Sequence, residues 1–313
     1  MNPVLALIIT NVIWGAASPI FKYALINIPP FTLAFIRFFG AAVLFLPWGI
    51  KHWHKISGRD WFMLLLGAFF GISVNISFFF LGIQKTESIN APIIASSQPI
   101  FLYIFSILFL KERPRKKVIT GILLSFIGVL IIVLSPIIVS GGLFSIKSDT
   151  LMLGNFFLVI ATFGAVGNVI VYKNVLKKID HYQVSLISFI FGGLSFLPMM
   201  LGELRHWSFG QLDIHGYVGI IFGVIFSSFI AYGLFNYGIS KIKGQEVGVF
   251  SYIDPVVAVI LAAPLVNEHP DMFFYIGSVL VFGGILIAEG RIHYHPLHRI
   301  KKYIVPQNNN DRR

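Results

Sequence analysis

Two charged side chains fall inside long apolar segments of this chain, where a charge is rare and costly. Arg37 lies in the second apolar segment, and Asp254 lies near the middle of the ninth. A guanidinium group in apolar surroundings suits a substrate carboxylate, because its planar fork of donors matches the two carboxylate oxygens. A carboxyl group in such a place can take up and release a proton, which suits coupling to a proton gradient.

Other roles for these two side chains stay open from the residues alone. Arg37 could extend along its helix to the membrane surface, or it could form an ion pair with Asp254. Asp254 could also stay protonated and donate a hydrogen bond to a backbone carbonyl that the adjacent proline leaves without a partner.

Prolines interrupt the fourth and ninth apolar segments at corresponding places. Pro99 and Pro255 each remove one helical hydrogen bond and free the carbonyl four residues earlier. Gln98 and Asp254 directly precede these prolines, so polar groups cluster at both expected breaks. Broken helices at matching positions in two halves of a chain indicate a transporter binding site, and a simple packing kink is the alternative.

Further polar and aromatic side chains recur at helical spacing. Amides on such stripes line a cavity or hydrogen-bond between helices, and aromatic rings with polar tips form the apolar walls of a site or simply pack. The candidate substrate-binding residues are Trp14, Arg37, Asn75, Gln98, Tyr232, Asn236 and Tyr252, with Asp254 as the candidate coupling residue.

The composition is that of a membrane protein. The 313 residues are 56% hydrophobic and 12% charged, and the mean hydropathy is +0.82, whereas a soluble domain is about 25% charged. Apolar runs of about 20 residues, the length of a membrane span, occur near 3–23, 30–50, 61–83, 89–110, 118–139, 151–172, 182–201, 217–239, 247–266 and 273–289. These ten predicted helices leave no room for a sizeable soluble domain.

The net charge of +11 is distributed unevenly between the loops. Of the 24 Lys and Arg residues, 19 fall on the side of the two termini and four on the opposite side. Because loops rich in Lys and Arg stay in the cytoplasm, we expect both termini to be cytoplasmic. The charge therefore indicates orientation in a membrane, and no nucleic-acid partner is expected.

The chain repeats itself with an offset of 156 residues. Residues that match across this offset include Gly67 and Gly223, Lys85 and Lys241, Pro99 and Pro255, Glu112 and Glu268, Gly121 and Gly277, and Gly128 and Gly284. An odd number of spans per repeat makes the two repeats cross the membrane in opposite directions. The fold class expected is an all-α membrane protein with ten transmembrane helices in two inverted five-helix repeats, 1–139 and 151–290, followed by a basic cytoplasmic tail, 291–313.

The matched glycines carry a packing prediction. Gly121 and Gly128 in the fifth span, like Gly277 and Gly284 in the tenth, lie close to two helical turns apart. Small residues on one face let helix backbones approach closely. We therefore expect the fifth and tenth spans to pack directly against each other.

Several short motifs together resemble those of the EamA family of the drug/metabolite transporter superfamily. They are Trp14-Gly15 with Lys22 beyond, Arg37, Gln98-Pro99, Asp254-Pro255, and the Glu-x-Pro motifs that begin at Glu112 and Glu268. The resemblance extends to about Arg291 and implies a carrier of the bacterial inner membrane, commonly an exporter of amino acids or related metabolites.

The function predicted is secondary active transport of a small metabolite, an amino acid moved out of the cytoplasm by alternating access. Uptake of a larger, nucleoside-like metabolite or a membrane receptor without transport are the alternatives. The chain has no cysteine and none of the common hydrolase or phosphate-binding motifs, so we predict no enzyme activity, cofactor or metal. The expected partners are a small-molecule substrate and membrane lipid, with a monomer as the working assumption.

Overall fold

The computed structural model describes residues 2–98, 101, 105, 116–140, 146–241 and 250–289. All regular elements within these residues are helical. Six helices there are long and apolar enough to cross a membrane, and shorter apolar helices occupy 119–135, 250–266 and 272–287. Pro99, Glu112 and the predicted tail 291–313 lie outside the described residues.

The described α-helices overlap the predicted spans, although α4 covers only six residues of its span. In chain order they are α1 Pro3–Ala24, α2 Pro30–Lys51, α3 Gly58–Lys85, α4 Asn90–Ala95, α5 Lys116–Ser140, α6 Ile146–Val175, α7 His181–Glu203, α8 214–241, α9 Ile253–Val266 and α10 Met272–Glu289. Most of their described ends agree with the sequence to within a few residues, because apolar runs end where polar and turn-forming residues begin.

Short polar side chains begin several of these helices. Asn2 Oδ1 accepts a hydrogen bond from the Val4 backbone N–H at 2.9 Å, and Ser57 Oγ accepts one from Asp60 at 3.2 Å. Asp213 does the same for the first turn of α8. Each cap satisfies a backbone donor that has no partner within the helix.

Helices α5 and α10 pack face to face through their glycines, as the sequence predicted. A Cβ atom on Gly128 would lie 2.6 Å from the carbonyl oxygen of Gly277, so only glycine fits at this crossing. Gly284 meets the backbone of Gly121 in the same way. Ser125 Oγ, which lies between them, donates to the Val281 carbonyl at 2.9 Å.

The stripe of small residues along α3 faces α6. Gly71 lies against the side chain of Asn168, and Gly82 against Leu158. Between them, Asn75 Nδ2 donates to the Ala161 carbonyl at 2.7 Å. For these three residues the contacts are those of the packing alternative, in which small residues allow close approach and an amide bonds across the interface.

The expected helix breaks are present, but Pro255 does not lie in the middle of a helix. A 3₁₀ turn, Phe250–Tyr252, leads into α9, so Pro255 lies in the first turn of that helix. Proline is tolerated there because the first backbone N–H groups have no partner within the helix. In the other half, α4 ends at Ala95, and a turn at Ser96 and Ser97 precedes Gln98.

Candidate functional site

Part of α8 has a wider helical form that shapes the centre of the molecule. Residues Phe222–Ile230 are π-helical, and so is the shorter stretch Phe69–Val74 in α3. An offset of 156 places the second stretch onto 225–230, so the two π-helical stretches overlap at matching positions of the sequence. The extra residue per turn changes which side chains a helix presents, and such segments are frequent at functional sites. In α8 the stretch packs against α2 and α1.

Arg37 is buried against this π-helical stretch, with 3% of its surface exposed. Its Nε donates to Ser228 Oγ at 2.8 Å, and one terminal nitrogen donates to Ser227 Oγ at 2.9 Å. The guanidinium carbon lies 4.8 Å from the ring centre of Phe21 and 4.6 Å from that of Phe38. The two hydroxyls and two ring faces fix the side chain and partly replace its lost hydration.

The burial of Arg37 decides between the roles proposed for it. The side chain does not extend to the membrane surface, so that alternative is wrong. None of the ion pairs formed by the described residues includes Arg37, so it is not paired with Asp254 in this structure. Among the described residues, the groups that contact this buried positive charge are neutral, so no acidic partner there compensates it.

Aromatic rings form the wall next to Arg37. Trp14 Nε1 donates to the backbone carbonyl of Ser227 at 3.2 Å, so Ser227 contacts both Trp14 and Arg37. The Trp14 and Tyr232 rings meet edge to face, with centres 5.2 Å apart. Tyr232 also packs edge to face on Phe38. The structure thus brings together Trp14, Arg37 and Tyr232.

A small cavity lies next to Tyr232, between α3, α6, α7 and α8. About 10 Å³ is open to the centre of a water molecule, which is close to the space that one water needs. Asn236 is part of its lining and donates through Nδ2 to Ser185 Oγ at 2.7 Å. The other polar residues in the lining are Asn168, Tyr172, Ser185, Ser188 and Tyr232.

Asp254 lies where α9 comes closest to α1. A Cβ atom on Gly15 would be 2.7 Å from the Asp254 carbonyl oxygen, so the two backbones touch here. The Oδ1 atom of Asp254 is buried and makes no hydrogen bond to any of the described residues. Trp14 and Gly15 are adjacent in α1, and so this helix connects the Arg37 cluster with Asp254.

The remaining predicted site residues lie elsewhere. Asn75 is in the α3–α6 interface described above. The Tyr252 ring packs edge to face on Phe282 of α10, with ring centres 5.5 Å apart. Gln98 is partly buried just beyond the end of α4. The structure does not bring these three into the cluster around Arg37.

Sequence reasoning did not find three residues of the cluster. Ser227, Phe21 and Phe38 all contact Arg37, yet serine and phenylalanine are ordinary in apolar helices. A usable signal was the pair Ser227-Ser228, since adjacent hydroxyls in an apolar helix could satisfy two donors of one guanidinium.

The arrangement defines a multi-pass membrane protein with a charged group enclosed among its helices. The chain belongs to the EamA-like transporter family, whose model matches residues 1–134 and 152–289. This membership supports a role in transport.

Relatives extend over nearly the whole chain. A protein of Archaeoglobus fulgidus described as an uncharacterized transporter is 27% identical over 293 residues, which cover 92% of this chain and 98% of that protein. The uncharacterized transporter YetK of Bacillus subtilis is 26% identical over 295 residues, which cover 92% of this chain and 87% of YetK. A crystal structure of another protein matches with a TM-score of 0.63 at 19% identity, covering 91% of this chain and 96% of that one, which shows similarity of fold alone.

Proposed function

We propose that this protein is a secondary active transporter that moves a small carboxylate-bearing metabolite, an amino acid, out of the cytoplasm by alternating access. The observation that carries the proposal is Arg37, a buried cation without an acidic partner among the described residues. Holding such a charge away from water costs several kcal/mol. An anionic substrate would recover part of that cost each time it binds.

The groups around Arg37 suit an amino acid. Nε and one terminal nitrogen donate to serine hydroxyls, which a substrate carboxylate could displace or share. Trp14 and Tyr232 offer an apolar wall for a side chain. Asp254, the coupling residue we propose, lies across α1 from this wall with an oxygen free to bind a proton.

Ten spans in two inverted repeats are part of the proposal. The contacts between helices support it, because each contact made by a helix of one repeat has an equivalent made by its counterpart in the other repeat in the cases that follow. Helix α1 packs on α8 and α9, and its counterpart α6 packs on α3 and α4. In the pairs α2–α7 and α5–α10, each helix packs against its own counterpart in the other repeat. The two separate matches to the family model agree with this division. Inverted repeats give two-sided access to one site.

The proposal also includes the cytoplasmic membrane of a bacterium as its location. Export, in place of uptake, rests on the family resemblance.

The test is exchange of radiolabelled amino acids by purified protein in proteoliposomes, with nucleosides as a second substrate panel. We expect amino-acid exchange by the wild type and a loss of at least about 30-fold in Arg37→Ala, since removing one partner of a buried charged contact costs about 2 kcal/mol or more. Arg37→Lys should recover little, because a lysine cannot present two donors in one plane.

The exposed Arg205 provides the control, since Arg205→Ala removes the same charge from the surface. Each variant must first elute as a single species in detergent. If Arg37→Ala exchanges amino acids at the wild-type rate, the anion-binding role of Arg37 is wrong. Exchange of nucleosides alone would favour the larger substrate class, and a folded wild type without exchange in either panel would favour a receptor.

A further inference from the structure

The end of the molecule that contains Lys22 is held together by an ion pair between the two halves of the chain. Lys22 Nζ, near the end of α1, lies 2.5 Å from Glu268 Oε1 in the connection between α9 and α10. The same ammonium donates to the Thr86 carbonyl at 2.6 Å. By the loop charges, this end faces the outside of the cell.

Glu268 is anchored more deeply than Lys22. Its second oxygen accepts hydrogen bonds from the backbone N–H of Ser88 at 2.7 Å and from the Ser88 hydroxyl at 2.6 Å. Only 7% of the Glu268 side chain is exposed, against 26% for Lys22. Asn267, in the left-handed conformation with φ of 54°, ends α9 and turns the chain toward this position.

A buried network continues inward from the ion pair. Thr86 Oγ1 and Asn90 Nδ2 both donate to Asn155 Oδ1, at 2.7 and 3.1 Å. Asn155 Nδ2 in turn donates to the Ile132 carbonyl of α5 at 3.1 Å. Lys22 and Glu268 thus complete a layer of polar contacts that joins α1, α5, α6 and the two connections.

Water reaches the outer face of this layer through an open cleft. About 520 Å³ of the cleft is open to the centre of a water molecule, and its lining includes Lys22, Gln84, Lys85 and Val266. Below Lys22 on α1, Ser18 is buried, with 3% of its surface exposed, and its hydroxyl makes no hydrogen bond within the part of the chain that the structure describes. The ion pair therefore lies on the boundary between external water and the buried interior.

The contact between α1 and α9 differs along its length. At Gly15 the two backbones touch, whereas Lys22 reaches Glu268 through side-chain atoms alone. Separation at the outer end can therefore begin with the loss of one ion pair and a few hydrogen bonds, while the backbone contact at Gly15 stays intact. Removing one member of a buried ion pair leaves the other uncompensated, which favours an arrangement that hydrates it.

We propose that the Lys22–Glu268 ion pair is the outer gate of the transport pathway, closed in this structure and open when the substrate site faces outward. The inference rests on the proposed alternating access. It adds Lys22 and Glu268 to the residues that the transport cycle needs.

The test uses the absence of cysteine from the sequence. Ser18→Cys introduces a single thiol behind the gate with almost no change in size. Cells that express it are treated with a membrane-impermeant maleimide, and the labelling rate is measured. We expect slow labelling with the gate intact and labelling about tenfold faster or more when Lys22→Met or Glu268→Gln is added.

Two controls accompany this experiment. Lys173→Ala removes an exposed lysine that an offset of 151 residues aligns with Lys22, and it should leave the rate unchanged. Gly202→Cys, at an exposed position with open space around it, should label at one constant rate in every background.

Unchanged Ser18→Cys labelling in both gate variants would overturn the inference, and so would equal acceleration by Lys173→Ala. Failure of both gate variants to give folded protein would overturn it too, because a gate must open without unfolding. This experiment measures how easily the maleimide reaches residue 18, and it does not measure substrate flux. If the protein exchanges no amino acid but Ser18→Cys labels faster in the gate variants, the gate stands and the proposed substrate is wrong. If the protein exchanges amino acids but the labelling rate does not change, the proposed substrate stands and the gate is wrong.

Discussion

At the scale of single residues, the local surroundings of Arg37 and Asp254 differ in a way that supports the two roles proposed for them. Arg37 is fixed by two hydroxyls and two aromatic rings. Asp254 Oδ1 has no hydrogen bond, so nothing in the described residues competes with a proton for it. A fixed cation suits binding, and a carboxyl oxygen without a hydrogen bond to the described residues suits reversible protonation.

Asp254→Asn tests the coupling role. The variant keeps the size of the side chain and loses the proton site, so we expect substrate exchange to persist while acceleration by an imposed pH gradient is lost. Paired flux assays on wild type and variant, at matched protein levels, measure both quantities. If the variant still accumulates substrate against its gradient when a pH gradient is imposed, Asp254 is not the coupling residue.

Glu87, in the connection between α3 and α4, is expected to make stability depend on pH. Burial, together with the charges of Glu268 and Asp271, raises the pKa of the Glu87 carboxyl. Its contribution to stability is therefore present at low pH and is lost as the pH rises through the folded-state pKa. Glu87→Gln removes the unfavourable charge and should raise the Tm by about 1–2 °C at pH 8.

Thermal unfolding in detergent at pH 8 and pH 4 checks this expectation. The difference between wild type and Glu87→Gln should shrink at pH 4, where the carboxyl is largely protonated in both states. An equal or lower Tm for the variant at pH 8 would show that the charge on Glu87 does not destabilise the fold.

Single residues also mark the limit of sequence reasoning. Arg37 and Asp254 stand out because charges are rare in apolar spans. Tyr232 and Asn236 follow from helical spacing, and Trp14 is a candidate as an aromatic ring with a polar tip. Ser227 does not, since it is nearly 200 positions from Arg37 in the chain and reaches it through a π-helical stretch. No residue type specifies a π-helix, so the partner of the guanidinium depends on tertiary packing.

At the scale of helices, α5 and α10 provide a clear test of packing, because neighbouring glycines of α10 differ in their surroundings. A Cβ on Gly284 would collide with the backbone of Gly121 and with Ser125, whereas one on Gly283 would meet only a Leu124 methyl group at 3.8 Å. We expect Gly284→Ala to destabilise the protein by about 2 kcal/mol through overpacking.

Gly283→Ala is the matched control, with an unchanged or slightly higher Tm because alanine favours a helix over glycine. Thermal unfolding of both variants in detergent gives the comparison. Equal Tm values would mean that α5 and α10 separate easily, and the close packing would then contribute little to stability.

The helix ends show why some elements were predictable and others were not. Apolar runs define α1, α2 and α7 almost completely, with capping side chains at the start of α1 and α7. The start of α9 was not predictable in this way. Pro255 indicated a break in the middle of a helix, whereas it lies in the first turn of α9. A proline is compatible with both places, and only the packing of the preceding 3₁₀ turn decides between them.

At the scale of the whole molecule, the two ends of the α2–α7 pair are joined by different chemistry. At one end Glu203 accepts hydrogen bonds from the backbone N–H groups of Phe31 and Thr32, where the α2 dipole favours a negative charge. At the other end the neutral Gln183 exchanges two hydrogen bonds with the backbone of His54. The carboxylate end is poor in Lys and Arg, as expected of an outer surface.

Orientation in the membrane is the prediction that joins the charge pattern to this structure. Gly58, at the start of α3, and Gly202, near the end of α7, are exposed glycines with nothing within 4 Å of an added Cβ, so a cysteine is tolerated at either. We expect Gly202→Cys to react with a membrane-impermeant maleimide in intact cells and Gly58→Cys to react only after permeabilisation. The cysteine-free parent gives the background. Reaction of Gly58→Cys in intact cells would reverse the topology, and would move the Lys22–Glu268 pair to the cytoplasmic end of the pathway.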